Sequence, residues 1–202
     1  MQPLFHGILL GFGLILPLGV QNIFIFNQGA NQRKLSHALP AVVTAAICDT
    51  LLICLAITGV SVVIFSFEWL KTSLFLVGFF FLSYMGWVMW KAAPETGSTH
   101  QRSPLSIRRQ IAFAASVSLL NPHAILDTIG VIGTSSLLYV DQEKWMFAAA
   151  VIAVSWIWFM ALAIVGRKLG EFDHNGVLFK RINQVSALII WFMAIYILSQ
   201  IF

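Results

Sequence analysis

Two aspartates each stand alone in a long stretch without other charged residues. Asp49 is the single charged residue between positions 35 and 67, and Asp127 is the single one between 110 and 140. If these stretches cross a membrane, each carboxylate costs about 2.5 to 3.5 kcal/mol at the bilayer centre. No lysine or arginine lies inside them, so a proton, water or a bound cation must compensate the charge. One reading is a neutral carboxyl group bonded to helix backbone; the other is a cation site.

Prolines and carboxamides accompany both aspartates. A proline inside a helix removes one hydrogen bond and frees carbonyl groups, which in a membrane must find partners in protein or in a water-filled cavity. Lone proline kinks are usually structural, but two kinks with amides beside them favour a polar cavity. The predicted substrate- and proton-binding residues are Asp49, Asp127, Asn22, Asn121, Gln21 and His123, and the helix breaks predicted to shape the site are Pro17, Gly19 and Pro122.

His123 and Asp127 are four residues apart and would share one helix face. This spacing suits a hydrogen-bonded proton relay, or half of a metal site. A single histidine without a thiolate leaves a transition metal short of ligands. We therefore expect neither a metal nor another cofactor.

The composition places these residues in a membrane. Of 202 residues 59% are hydrophobic and 10% are charged, against roughly 25% charged in an average soluble domain. A bilayer core about 30 Å thick needs roughly 20 apolar helical residues to cross it, whereas barrel strands are shorter and alternate in polarity. The pattern predicts an all-α integral membrane protein with six transmembrane helices, at about 4–26, 39–64, 71–90, 111–133, 145–166 and 181–201.

The basic residues predict the orientation. Ten of the twelve lysines and arginines fall in the first, third and fifth loops: Arg33, Lys34, Lys91, Arg102, Arg108, Arg109, Arg167, Lys168, Lys180 and Arg181. By the positive-inside rule these loops are cytoplasmic, so both termini are expected outside. The sequence pI near 9.3 then reflects topology and contact with anionic lipids, and nucleic acid is not an expected partner.

The two halves of the chain have related patterns. A shift of 105 residues places Pro17 on Pro122 and Asn22 on Asp127. Three spans in each half would make the halves inverted repeats, a known plan for transporters. We predict one transporter domain, 1–202, with a first repeat at 1–91, a cytoplasmic linker at 92–109 and a second repeat at 110–202. Chance similarity is the competing explanation, and a homodimer is attractive because six spans enclose a cavity thinly.

Several motifs carry a resemblance to a known family. The segment LPLGVQNIFIFNQG at 16–29, Cys48-Asp49, LLNPH at 119–123, LDT at 126–128 and SWIWF at 155–159 together resemble the lysine and arginine exporter family, and its arginine-exporter branch most closely. The resemblance covers essentially the whole chain. One departure is Val20, where the closest members carry a second proline, so the choice between arginine and lysine stays open.

The resemblance implies a multi-pass protein of the bacterial inner membrane that exports basic amino acids by proton antiport. It points to Asn22, Asp49, Asn121 and Asp127 as functional polar residues. Two other classes stay open, a divalent-metal exporter of related architecture and a non-transporting membrane scaffold. An enzyme is not expected, because the sequence has no nucleophile with an adjacent base and no phosphate-binding loop.

Overall fold

The computed structural model describes residues 1–16, 19–32, 34–59, 68–91, 105–121, 124–125, 127–172 and 177–199. Within these residues the regular secondary structure is helical, as predicted. Seven α-helices of at least 12 residues and one π-helix of seven residues make up most of the described bundle, and two three-residue helical turns, Leu35–His37 and Thr134–Ser136, connect them. Their bounds are α1 (Gln2–Ile15), α2 (Val20–Asn31), α3 (Leu39–Ile57), α4 (Glu68–Lys91), α5 (Ile107–Leu119), the π-helix (Asp127–Gly133), α6 (Asp141–Phe172) and α7 (Val177–Ser199).

Helix length and apolar composition qualify three helices as membrane spans: Leu39–Ile57, Asp141–Glu171 and Lys180–Ser199. A fourth is gained if α1 and α2, which meet at 81°, form one bent span, and Phe75–Lys91 is a shorter apolar helix. The described residues thus give three to four span candidates in a multi-pass membrane protein. Six spans remain a prediction.

The first predicted span, 4–26, is not one continuous helix. Helix α1 ends at Ile15 and α2 begins at Val20, so the chain is interrupted where the sequence predicts a broken helix, and Pro17 itself lies outside the described residues. The predicted fourth span, 111–133, is interrupted as well, because α5 ends at Leu119 and the π-helix begins at Asp127. Pro122 also lies outside the described residues.

Helix α6 is the longest element, and both halves of the bent first span pack along it. Gly7 of α1 lies against Phe147 and Ala150 near the beginning of α6, whereas α2 packs against the later part of α6. At the α2–α6 contact, a Cβ atom added to Gly29 would overlap the backbone carbonyl of Ala163. Because only glycine permits this approach, α2 and α6 pack backbone to backbone.

The remaining helices complete the bundle. Helix α3 packs against α5, α6 and the π-helix, and α7 packs against α4. The indole of Trp191 on α7 donates a 3.2 Å hydrogen bond to the Ser83 carbonyl of α4. A side chain at Gly86 would clash with the same indole. Glycine at position 86 therefore allows the indole of Trp191 to approach α4 closely.

Basic residues gather at one end of the bundle, here called the basic end. Arg167 on α6 donates to the Gln32 carbonyl at the end of α2, and Asn27 near this end bonds Asn183 of α7 at 2.9 Å. These contacts bring together the helix ends that carry most of the cationic side chains. The described ones are Lys34, Lys91, Arg108, Arg109, Arg167, Lys168, Lys180 and Arg181.

Candidate functional site

A cavity of about 170 Å³ lies where the first span is interrupted. By the volume that one water needs, it has room for on the order of ten water molecules. Its walls come from α1, α2, α3, α4, α6, α7 and the segment around the π-helix, and include Ile53, Leu82, Phe159 and Met193. The polar residues that line this central cavity are Gln21, Asn22, Asp49, Asn121, Thr128 and Ser155.

The first turn of α2 places two carboxamides at the cavity. The Asn22 side chain donates a 2.7 Å hydrogen bond to the Ile15 carbonyl. This carbonyl lies in the last turn of α1, where the interruption removes helical donors. The Asn22 side chain therefore supplies a hydrogen-bond donor to a carbonyl group at the helix break, as expected for an amide beside a helix break in a membrane. Gly19, at the amino end of α2, also lines the cavity.

Asp49 projects from the middle of α3, one of the spans, into the same cavity. Gln21 donates from its amide nitrogen to one carboxylate oxygen of Asp49 at 3.0 Å. Among the described residues, no lysine, arginine or histidine forms an ion pair with this carboxylate. The Asp49 charge thus meets a neutral donor and open cavity space, so a proton or a cation can still bind to it.

Thr50, the residue after Asp49, ties α3 to α6. The Thr50 hydroxyl donates to the Ala46 carbonyl at 2.7 Å and accepts a 3.2 Å hydrogen bond from the Trp156 indole of α6. A hydroxyl can donate once and accept at the same time. The bond from Trp156 therefore joins α3 to α6 at the residue that follows Asp49 in the sequence.

The second interrupted helix borders the same space. Asn121 is buried and lines the cavity, and its carbonyl accepts from the Ile125 amide at 3.1 Å as the helix resumes. His123 lies outside the described residues. Asp127 is the first residue of the π-helix, and its side chain lies outside the described part of the chain. The next residue, Thr128, lines the cavity. Single π-helical turns are frequent at functional sites.

Sequence reasoning missed two hydroxyl groups of this cavity, those of Thr128 and Ser155. The Ser155 hydroxyl is buried and donates to the Ile152 carbonyl at 3.0 Å, which leaves its oxygen able to accept. Both residues lie inside the LDT and SWIWF motifs, but serine and threonine are common in membrane helices. The motifs were therefore the only signal that could have singled them out.

The described residues contain no group of three His, Cys, Asp or Glu side chains that could hold a metal ion. The predicted residues that the structure brings together are Gly19, Gln21, Asn22, Asp49 and Asn121. This arrangement suits a ligand that carries hydrogen-bond donors and one positive charge. It is a largely apolar cavity with a group of polar side chains, and residues beside both interrupted helices line it.

Comparison with known proteins agrees with this architecture. The LysE type translocator family profile matches residues 12–201. YisU of Bacillus subtilis (strain 168), provisionally named an amino-acid transporter, is 56% identical over 97% of this chain and 89% of its own length. The arginine exporter protein ArgO is 33% identical in Enterobacter sp. (strain 638), over 97% and 93% of the two chains. ArgO of Escherichia coli (strain K12) is 34% identical over 95% and 90%.

No solved structure matches the chain. The profile match covers nearly all of the sequence, and the relatives match it from end to end. On this basis the chain belongs to the LysE-type translocator family.

Proposed function

We propose that the protein exports a basic amino acid, arginine or lysine, across the bacterial cytoplasmic membrane in exchange for protons. The observation that carries the proposal is the Asp49 carboxylate, which lines a cavity between membrane helices with a neutral amide as its partner. The names of the ArgO relatives favour arginine. The family consists of transporters, which agrees with a cavity built for binding.

The cavity offers complementary groups to both ends of such a substrate. A guanidinium or ammonium group only donates hydrogen bonds, and Asp49 and the carboxamide oxygen of Asn121 accept them. The substrate also carries a carboxylate. Helix α2 begins at the cavity with no side chain capping its first turn, and transporter half-helices commonly direct such amino ends at anionic substrate groups.

Exchange for protons would offset the electrical work of exporting a cation. Moving one positive charge outward against an inside-negative potential costs about 2.3 kcal/mol per 100 mV. Import of one proton for each exported cation cancels that work. If Asp49 and Asp127 hold either a proton or the substrate, and the cavity opens to each side in turn, the two flows are coupled.

We further propose that the basic end faces the cytoplasm and that the two interrupted helices belong to inverted repeats with six spans in total. The cationic side chains at the ends of α2, α4 and α6 and at the starts of α5 and α7 support this orientation. We also propose that the protein forms a homodimer.

The test is transport by the purified protein in proteoliposomes. Labelled arginine and lysine are offered with an imposed pH gradient while valinomycin and potassium hold the membrane potential at zero, and labelled leucine is the neutral control. We expect accumulation of arginine, lysine or both, abolished by a protonophore, and none of leucine.

Other outcomes separate the alternatives. Accumulation that persists without the pH gradient, at the same clamped potential, would remove proton exchange from the proposal. Movement of manganese or cadmium without movement of arginine or lysine would favour the metal exporter. Failure to move any of these substrates would favour the scaffold.

A further inference from the structure

Two glutamines of α2, Gln21 and Gln28, and the residue that follows the helix, Gln32, lie on one side of the helix. Gln21, Gln28 and Gln32 are seven and four residues apart, which keeps them within about 40° of one another at 3.6 residues per turn. All three are buried. Gln21 bonds Asp49 in the central cavity, while Gln32 lies at the basic end and donates to Gln28 at 3.4 Å. A buried polar face of this length is unusual in a membrane helix.

Two buried polar residues lie at the two ends of the α5 region. Gln110 is in the first turn of α5, and Asn121 follows the end of α5 by two residues; both are buried. At the basic end, Gln32 and Gln110 both donate to the Leu105 carbonyl, at 3.3 and 2.9 Å. At the other end, Asn121 lines the same cavity as Gln21. The end of α2 thus lies beside the start of α5, and the start of α2 lies beside the residues that follow α5, so the two helices run in opposite directions. Their contact is called the α2–α5 seam.

Gln110 is the residue in the seam whose hydrogen bonding is incomplete. Its side chain is 1% exposed, and its amide oxygen has no partner among the described residues. The orientation of the amide is fixed, because the Leu105 carbonyl can only accept and so must face the amide nitrogen. A buried acceptor held without a partner is costly, and it suits a ligand that supplies donors.

An aromatic pair lies between the two polar ends of the seam. The rings of Phe24 and Phe113 are 4.3 Å apart between centroids. In sequence, Phe24 falls between Gln21 and Gln28, and Phe113 falls between Gln110 and Asn121. The contact therefore separates the glutamines at the basic end from the central cavity.

We propose that Gln28, Gln32 and Gln110, with the Leu105 carbonyl, form a second binding site, which receives the guanidinium or ammonium group of the substrate before it passes the Phe24–Phe113 contact into the central cavity. This site rests on the proposed function. Its acceptors are uncharged, so it binds a cation less tightly than Asp49 does. A path with several sites requires such weak binding, because the cation must be released toward the central cavity. Arg167, which donates to the Gln32 carbonyl, is paired with Glu171 at 3.0 Å, so its charge is compensated beside the site.

The sign of a charge placed at Gln110 tests the site. Gln110→Glu and Gln110→Lys are compared in inside-out membrane vesicles, in which the basic end is offered labelled arginine, and uptake is measured against arginine concentration. Gln110→Glu should lower the half-saturating concentration and Gln110→Lys should raise it, each by roughly tenfold, about the effect of one charge-assisted hydrogen bond. The matched pair Ser106→Glu and Ser106→Lys, at an exposed position one turn away, should change it less than twofold.

A structural role for Gln110 makes a different prediction, because both charges would then reduce membrane abundance or the maximal rate alike. If the charged variants do not accumulate in the membrane, the neutral variants Gln110→Leu and Gln32→Leu replace them. Both should raise the half-saturating concentration of arginine at the basic end. Neither should change the half-saturating concentration at the opposite face, measured in right-side-out vesicles. Equal responses to Glu and Lys, or no response to either leucine variant, would overturn this site alone. Wild-type vesicles that move neither arginine nor lysine would overturn the proposed function and this site together.

Discussion

At the scale of single residues, the carboxylate of Asp49 decides what the central cavity can bind. Asp49→Asn keeps the size of the side chain and most of its hydrogen bonding but removes the charge. A hydrogen bond to a charged group contributes about 1.5 to 3 kcal/mol, so export at sub-saturating arginine should fall by roughly 10- to 100-fold. Efflux of labelled arginine from loaded cells, at matched membrane abundance, measures the change.

Asp141→Asn is the control for that substitution. Asp141 is exposed at the beginning of α6 and has a positive φ of 45°, a conformation that asparagine also adopts readily. Export by this variant should match the wild type. If Asp49→Asn exports as fast as Asp141→Asn, the cation is bound elsewhere.

The residues of the cavity were predictable to the extent that their types are rare in membranes. Asp49, Gln21, Asn22 and Asn121 stand out because each is costly in a bilayer, and the structure brings their side chains to one cavity. Ser155 was not predictable, since a hydroxyl satisfied by its own helix backbone costs little in any span. For Asp127 and His123 the predicted roles stay predictions.

At the scale of the helices, the contact of α2 with α6 fixes the position of the broken first span. A Cβ atom at Gly29 would overlap the Ala163 carbonyl, and overpacking of this kind costs about 1 to 3 kcal/mol. Gly29→Ala should therefore lower the apparent unfolding temperature in detergent and reduce export, because α2 carries Gln21 and Asn22. The control is Gly13→Ala in α1, where nothing lies within 4 Å.

Gly13→Ala should leave the unfolding temperature unchanged or raise it, since alanine is favoured over glycine in a helix by up to about 1 kcal/mol. Equal unfolding temperatures for the two variants would mean that α2 does not pack on α6 this closely. The comparison separates packing from helix propensity, because both variants make the same chemical change.

Helix breaks were easier to predict than the geometry that follows them. Proline at position 17 and glycine at position 19 favour an interruption, and the helix does end at Ile15. The π-helix from Asp127 to Gly133 has no comparable signal, because the extra residue per turn is accommodated by neighbouring helices and not by local sequence. Packing partners such as Gly29 and Ala163 are likewise set by the whole bundle.

At the scale of the whole molecule, hydropathy predicted a helical membrane protein with six spans; the helical class is confirmed, and the number of spans stays a prediction. Interrupted helices are the reason: α1, α2 and α5 have 14, 12 and 13 residues, each shorter than the roughly 20 needed for a straight crossing. A continuous apolar stretch of sequence can thus hold two helices at an angle, and the composition is the same either way. The charge pattern is more informative about the arrangement, since it marks the two ends of the bundle.

The arrangement of helix ends predicts the topology. Helix α2 ends beside Arg167, so residue 34 lies at the basic end. Helix α3 then runs to Ile57, which lines a surface pocket with Tyr139, Asp141 and Lys144 at the opposite end. Helix α7 passes Asn183 near the basic end and runs away from that end to Ser199.

Reporter fusions test this prediction directly. A periplasm-specific phosphatase should be active when fused after residues 59 and 202, and a cytoplasm-specific reporter should be active after residues 34 and 97. The physical reason is the positive-inside rule, because eight of the described cationic side chains lie at the basic end and retain that end in the cytoplasm. Phosphatase activity after residue 34 would reverse the orientation and make the Gln32–Gln110 end the exit. Fusions at 97 and 202 on the same side would instead mean an even number of crossings between them, and would contradict the three spans predicted for the second half.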